Sequence, residues 1–361
     1  MKKKIILWTK DIDHLILNRD NNFRVGGIQV QMYMWGVTLF KNDWKVYSFT
    51  NLFKNNKKKL ESIEFLYFPS IKYINPLLSL FYTFYYLIGV RPQVILLNGA
   101  TRDLLLVNLI SKLFKGKTIE MFASDSDLKP EEELIDRKLD RLLFRLGVRI
   151  TDNFIVQNTK QADLLKTNYN KTNPLFIPLI WLEKNEVELE ICKKDIILWV
   201  SNFRKLKRPE WFLKLALNKP EHKFVMVGNA TDIELFEKCK KEAFKISNID
   251  FLGGLSFTET NSLFRKARLF VCTSETEGFP NTFLQAWMNE CPVLTTFDPS
   301  DLIKNFQLGV YCESYEDISN GFDQLTSEEF FKSVQLNIKA YYSHKFSSQM
   351  HYESLINRFK I

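Results

Sequence analysis

The sequence predicts an α/β protein made of two doubly wound parallel-sheet domains. Three observations carry this. Short apolar runs suited to buried strands alternate with segments of helical apolar spacing, the alternation occurs in both halves, and a polar, acidic stretch with little core lies between them.

In the first half the expected strands are residues 5–8, 45–49, 94–97, 118–122 and 154–157; in the second they are 196–200, 223–227, 269–273 and 293–296. Between the first two, Ile28, Met32, Trp35 and Leu39 recur at i, i+4, i+7 and i+11, one face of a helix. The seam is expected over residues 178–195, where Pro178 closes an apolar run and Glu183, Glu186, Glu188 and Glu190 follow. The domains are therefore placed at residues 1–180 and 193–340. A last helix over about 341–361, with Tyr352, Leu355, Ile356 and Phe359 on one face, is expected to pack back on the first domain.

Bulk properties narrow the class. A chain of 361 residues, 45% hydrophobic and 25% charged, has room for two cores and reads as soluble and globular. Its 31 Phe, beside abundant Lys, Asn and Ile, hint at an AT-rich bacterial genome. The five cysteines (192, 239, 272, 291, 312) are odd in number and lack metal-ligand spacing, so reduced thiols in a cytoplasm are expected. Lys2–Lys4 lead only into Ile5–Trp8, too short a run for a signal peptide. The longest apolar stretch, residues 77–89, falls short of the roughly 20 residues that cross a bilayer. Residues 1–178 carry 27 Lys+Arg against 17 Asp+Glu, whereas residues 179–361 carry 23 against 25. A basic first half admits nucleic acid or anionic lipid as a partner. The lack of interleaved basic and aromatic residues argues against nucleic acid. Histidines 14, 222, 344 and 351 are scattered and read as surface residues, His14 being close enough to the expected cleft edge to stay open.

The most informative stretch runs from Ser274 to Trp287. It leaves an expected strand and opens a helix, with Pro280 suited to the first turn. A helix that starts at the carboxyl edge of a parallel sheet offers free N–H groups to a phosphate. Glu277 stands at its mouth, where a carboxylate can accept from sugar hydroxyls; a Gly-Phe-Pro turn with a charged rim is the simpler alternative.

Glu277, Gly278, Phe279, Pro280, Asn281 and Thr282, with Gln285 eight positions after Glu277, resemble the E-x7-E motif of glycosyltransferase family 4. The resemblance implies the GT-B fold, two Rossmann-like domains facing across a cleft, and transfer with retention of anomeric configuration. It covers nearly the whole chain and is strongest over residues 196–312. Gln285 departs from the second Glu, which grips ribose hydroxyls in the family; an amide can still donate and accept there. Residues 201–209, Ser-Asn-Phe-Arg-Lys-Leu-Lys-Arg-Pro, resemble the family's diphosphate-clamping G-R-x4-K loop. Lys207 matches the Lys, but Asn202 occupies the Arg position, so the clamp is assigned to Arg204, Lys207 and Arg208. Fixed cations there stabilise a departing diphosphate without a metal. Gly26 and Gly27 resemble the glycine loop that lets backbone approach the donor, and Leu255, in the stretch 251–255, matches the segment lining the nucleobase pocket.

Asp125 and Asp127 follow the strand at 118–122, where the family places an acceptor-side His and acid. No His is present, so either aspartate is a candidate for acceptor contact, with helix capping as the structural alternative. Asp125-Ser126-Asp127 also spells the metal-binding D-x-D of an unrelated glycosyltransferase fold, set aside because the donor signals lie far downstream.

The resemblance thus implies a retaining transferase that uses a nucleotide-sugar, no metal and no cofactor, on a glycan or lipid-linked acceptor of bacterial surface polysaccharide. A nucleotide-sugar epimerase of the same fold, or a silent scaffold suggested by Gln285 and the missing His, are the alternatives. Lys54, Lys57, Lys58 and Lys59, near the aromatic segment 73–90 with Lys72 and Arg91 at its flanks, suit a protein resting on the anionic inner leaflet. A solvated lysine loop beside a buried helix is the alternative.

Overall fold

The computed structural model describes residues 2–9, 12–13, 26–50, 58–60, 62–68, 76–133, 135–180, 194–277 and 279–361, with backbone alone at 58–60, 76–80 and 343–344. Gly278, His14, Cys192, Lys54, Lys57, Lys72 and the acidic stretch 183–190 lie outside the described residues. The described residues up to 180 and from 347 onward form one unit, and residues 194–346 form another.

The first unit is built on an eight-stranded sheet. Its strands are β1 (Lys4–Trp8), β2 (Lys45–Thr50), β3 (Lys58–Leu60), β4 (Ile63–Tyr67), β5 (Val94–Asn98), β6 (Lys117–Met121), β7 (Asn153–Val156) and β8 (Leu175–Phe176). The order is β3-β4-β2-β1-β5-β6-β7-β8, parallel throughout except that β3 runs antiparallel to β4. Central strands covered on both faces need nearly unbroken apolar runs, and Ile5–Trp8 and Val94–Leu97 are buried along their length. Helices α1 (Gly27–Lys41), α2 (Pro76–Val90), α3 (Asp103–Leu113), α4 (Lys138–Ile150) and α5 (Thr159–Tyr169) connect them. The stripe expected on α1 is real: Met32, Trp35 and Leu39 are fully buried. Gln31 on α1 donates from Nε2 to Ile180 O (3.2 Å) and accepts from Ile180 N–H (3.0 Å), fixing the end of this part of the chain.

The second unit holds a six-stranded, all-parallel sheet in the order β11-β10-β9-β12-β13-β14. Its strands are β9 (Ile196–Val200), β10 (Lys223–Val227), β11 (Ile249–Gly253), β12 (Ala267–Cys272), β13 (Val293–Thr295) and β14 (Gly309–Tyr311). Helices α6 (Pro209–Asn218), α7 (Ile233–Ala243), α8 (Phe257–Lys266), α9 (Asn281–Met288), α10 (Leu302–Phe306), α11 (Tyr315–Thr326) and α12 (Glu328–Lys345) pack around it. The chain then returns to the first unit as α13 (Ser348–Phe359), which packs against α1. Trp44 Nε1 donates to Tyr352 OH at 3.1 Å, and Asn42 Nδ2 to Gln349 Oε1 at 3.1 Å. His351, read from sequence as a surface residue, is buried here because the inner face of α13 carries it beside Leu355 and Phe359.

In each sheet the strand order reverses beside the first strand. β2 and β5 flank β1, and β10 and β12 flank β9. Connections leave to opposite sides at such a reversal, so the carboxyl ends of the two strands there open a crevice. Cys239, Cys272, Cys291 and Cys312 are free and buried, serving as small core side chains.

Candidate functional site

At the reversal in the second sheet, residues 201–208 leave β9 and residues 273–280 leave β12. Hydrogen bonds lace the two segments together. Glu275 N–H donates to Leu206 O (2.8 Å), Thr273 Oγ1 to Lys207 O (2.5 Å), and Trp199 Nε1 on β9 to Thr273 Oγ1 (3.0 Å). Arg208 donates from Nε to Thr273 O (2.9 Å) and from Nη2 to Thr296 Oγ1 (3.0 Å), with its guanidinium 4.2 Å above the Trp211 ring. Two of its nitrogens thus tie the ends of β12 and β13.

This lacing brings Lys207 and Glu277 into contact across 70 residues of sequence. Lys207 Nζ donates to Glu277 Oε1, which also accepts from Ser274 Oγ at 2.8 Å. The side chains keep only 12% and 22% of their surface exposed, so the pair is held in reduced dielectric. Arg204 stands just before the short 3-10 turn Lys205–Lys207, exposed, and its guanidinium has no partner among the described residues. A lysine bonded to a positioned carboxylate, with an unpartnered arginine three residues earlier in the same loop, offers cations for a diphosphate and an acceptor for a polyol.

The motif turn is anchored from below. Phe279 is buried, its ring 6.2 Å from Trp287 and 6.1 Å from Phe346, so its side chain serves packing. Pro280 precedes α9 in extended conformation, Asn281 is the first helical residue, and Thr282 follows half-buried. Gln285, one turn on, is 5% exposed and donates from Nε2 to Asn261 Oδ1 on α8 at 2.7 Å. Nothing in the sequence marks Asn261 as its partner.

The neighbouring strand ends continue the same edge. Asn229, after β10, donates from Nδ2 to Asn202 Oδ1 at 3.3 Å. A Cβ on Gly228 would lie 1.7 Å from the backbone Ser201 O, so that position requires glycine, and one on Gly254, after β11, would lie 2.1 Å from Asn229 Oδ1, displacing that side chain. Leu255 follows Gly254, half-buried. Asn202, Asn229 and Gly254 thus step from β9 to β10 to β11, a link that sequence spacing does not reveal.

The remaining candidates belong to the first unit. Gly26 precedes α1, and its N–H donates to Gln29 Oε1 at 3.1 Å; Gly27 begins the helix. Asp125 and Asp127 fall in a 3-10 turn after β6, capped by Ser124, and they face different partners. Asp125 accepts from Asn158 Nδ2 (3.3 Å) and pairs with Lys160 (3.1 Å). Asp127 Oδ2 accepts from the N–H groups of Ala123 (2.9 Å) and Ser124 (3.0 Å). Burial pushes Asp127 up to about 6 against the pull of these bonds. Sequence reading missed Glu120 on β6: fully buried, with neither carboxylate oxygen hydrogen-bonded among the described residues. Burial first, then the charge of Asp127, holds its carboxyl well above the usual range. Among the described residues no three His, Cys, Asp or Glu side chains gather as a metal site.

Residues 183–342 match the family model of glycosyl transferases group 1. Over 127 residues the chain is 31% identical to the O-antigen biosynthesis glycosyltransferase WbnH of Escherichia coli. That match spans 34% of this chain and 34% of WbnH, about a third of the relative's length. Among solved structures, sucrose-phosphate synthase from Thermosynechococcus elongatus superposes with a TM-score of 0.73 at 14% identity, covering 99% of both chains. Anabaena HepE, solved in complex with UDP and glucose, gives 0.71 at 11% identity, again over 99% of both. These likenesses establish the fold as GT-B, with two parallel-sheet α/β units.

Proposed function

We propose that this chain is a retaining, metal-independent glycosyltransferase. It moves a hexose from a nucleotide-sugar to a glycan or lipid-linked acceptor of bacterial surface polysaccharide, at the inner face of the plasma membrane. The observation that carries the reading is the Lys207–Glu277 contact at the β9/β12 reversal, with Arg204 unpartnered in the same loop as Lys207. The matched group 1 domain contains all three residues. The O-antigen role named for WbnH and the UDP and glucose bound by HepE support the donor and pathway class.

In this reading the donor diphosphate is taken by Arg204 and Lys207, with the N–H groups at the start of α9 as further donors. Glu277 accepts from hydroxyls of the sugar. The bond between the anomeric carbon and the diphosphate oxygen breaks while the acceptor hydroxyl approaches on the same face. The departing phosphate oxygen takes the acceptor's proton. Cations placed where charge develops lower the barrier without reorganising. Asp127 or Asp125 meets the acceptor in the first unit.

The test uses the purified full chain and a panel of nucleotide-sugars. A thermal shift should identify the donor, and nucleoside diphosphate should accumulate only with acceptor present, unchanged by EDTA. Interconversion of the free nucleotide-sugar without acceptor would make the protein an epimerase. Donor binding with no turnover on any acceptor would make it a scaffold. Activity restored only by Mn²⁺ or Mg²⁺ after chelation would end the metal-independent reading.

A further inference from the structure

Helix α2 carries no charged residue over its 15 positions. Its inward face is accounted for. Thr83, Leu87 and Val90 are buried, Tyr82 and Tyr86 pack on the core, and Tyr86 OH donates to Tyr67 O. The outward face is apolar too. Phe81, Phe84, Tyr85 and Ile88 follow one another at i, i+3, i+4 and i+7, and Phe81 and Tyr85 are each 61% exposed. Their rings stack on each other 6.2 Å apart in the open. A helix that is apolar on both faces has a second surface to cover. The next helix, α3, packs beside α2 and carries exposed leucines of its own, Leu109 and Leu113, 53% and 70% exposed. Four large side chains on one face of α2, two of them stacked, differ from the scattered exposed apolar residues that any surface shows.

The charges around the patch choose the partner. Arg91, directly after α2, and Lys115, just after α3, are exposed and make no ion pair among the described residues. The acids on α3, on α4 and at residues 131–133 are paired. Asp103 and Asp140 pair with Arg102, and Glu131 and Glu133 pair with Arg141 and Arg145. Cations are thus left over at the rim of an aromatic face. A second copy docked by the same patch would bring Arg91 and Lys115 against their own kind, which opposes self-association. A surface that is apolar within and anionic at its boundary satisfies both features.

We infer that the outer face of α2 and α3 is a membrane-docking surface, with Phe81, Phe84 and Tyr85 entering the headgroup boundary of an anionic bilayer and Arg91 and Lys115 meeting lipid phosphates. Aromatic rings prefer that boundary, and basic side chains near it gain from the surface potential. The helix face and Arg91 belong to the aromatic segment and flank expected from sequence, whereas Lys54, Lys57 and Lys72 lie outside the described residues. This contact deepens the membrane placement proposed above and rests on it for biological purpose, whereas vesicle binding is read without any transfer reaction, so either can fail alone.

The experiment is flotation of the full chain with phosphatidylcholine vesicles and with vesicles of phosphatidylcholine and phosphatidylglycerol. The wild type should float with the anionic vesicles and lose binding as salt rises. Phe81→Ser with Tyr85→Ser should lower partitioning by about tenfold or more. Arg91→Gln with Lys115→Gln should reduce it less and remove most of its salt dependence. An unchanged nucleoside-diphosphate thermal shift in each variant shows that the fold survives. If the nucleotide gives no shift, the donor reading fails, and circular-dichroism melts check the fold instead. Equal flotation of wild type and the aromatic variant, or none with either vesicle, would overturn the inference. So would a dimer in sedimentation that the aromatic substitutions dissociate.

Discussion

Glu277→Gln keeps the shape of the side chain and removes its charge, so it separates the chemistry of the site from its packing. The variant amide can still accept from Ser274 Oγ, which lies 2.8 Å from Oε1 in the wild type. What is lost is the charge-assisted bond from Lys207, worth about 1–2 kcal/mol in a partly exposed pair. For a unit of this size that lowers Tm by roughly 2–8 °C, against a total stability of about 5–15 kcal/mol. The fold therefore stays populated at 25 °C. Transfer should suffer far more, because a missing electrostatic partner in a transition state costs about 10²–10³ in rate. Turnover is measured as nucleoside diphosphate released with acceptor present, beside a thermal melt of the same preparation. Near-wild-type turnover would refute the role of Glu277. A rate loss that only tracks the folded fraction would place the residue in the scaffold instead.

Arg204→Ala should raise the nucleoside-diphosphate dissociation constant by about tenfold or more in calorimetry, since an unpartnered guanidinium has no structural bond to lose; unchanged affinity would take it out of the clamp. Gln285→Ala should weaken the donor several-fold while Gln285→Glu is tolerated, and equal donor affinity in wild type and Gln285→Ala would end the ribose role. Glu120→Met should stabilise the protein, and more so at pH 8 than at pH 5. The carboxyl is held neutral in the fold well above its ordinary 4.5, so its contribution is complete below that value and falls by about 1.4 kcal/mol per pH unit as pH rises toward the folded value. A Tm difference that does not vary with pH would contradict the buried, proton-bearing Glu120.

The sequence reveals most where physical demands are severe. The strands it identifies, such as Ile5–Trp8 and Ile196–Val200, are central and covered on both faces, which forces an apolar run that composition alone exposes. The strands it misses, β3, β4, β8, β11 and β14, lie at or next to the sheet rims, and Glu64 and Asp250 interrupt the apolar runs of β4 and β11. The site is legible in another way. Lys207 and Glu277 stand out in the sequence by resemblance to family motifs, and the structure adds that their loops leave β9 and β12, the two strands at the reversal, whose carboxyl ends lie together. What holds the loops there is not legible: Thr273, Thr296 and Asn261 are ordinary polar residues until the register of β9, β12 and β13 sets them opposite their partners. Arg208 shows the limit most sharply. In sequence it is one of three cations assigned to a clamp in the loop after β9, and only the structure shows its bond to the Thr273 carbonyl and its contact with the Trp211 ring, whereas the Arg204 guanidinium has no partner among the described residues.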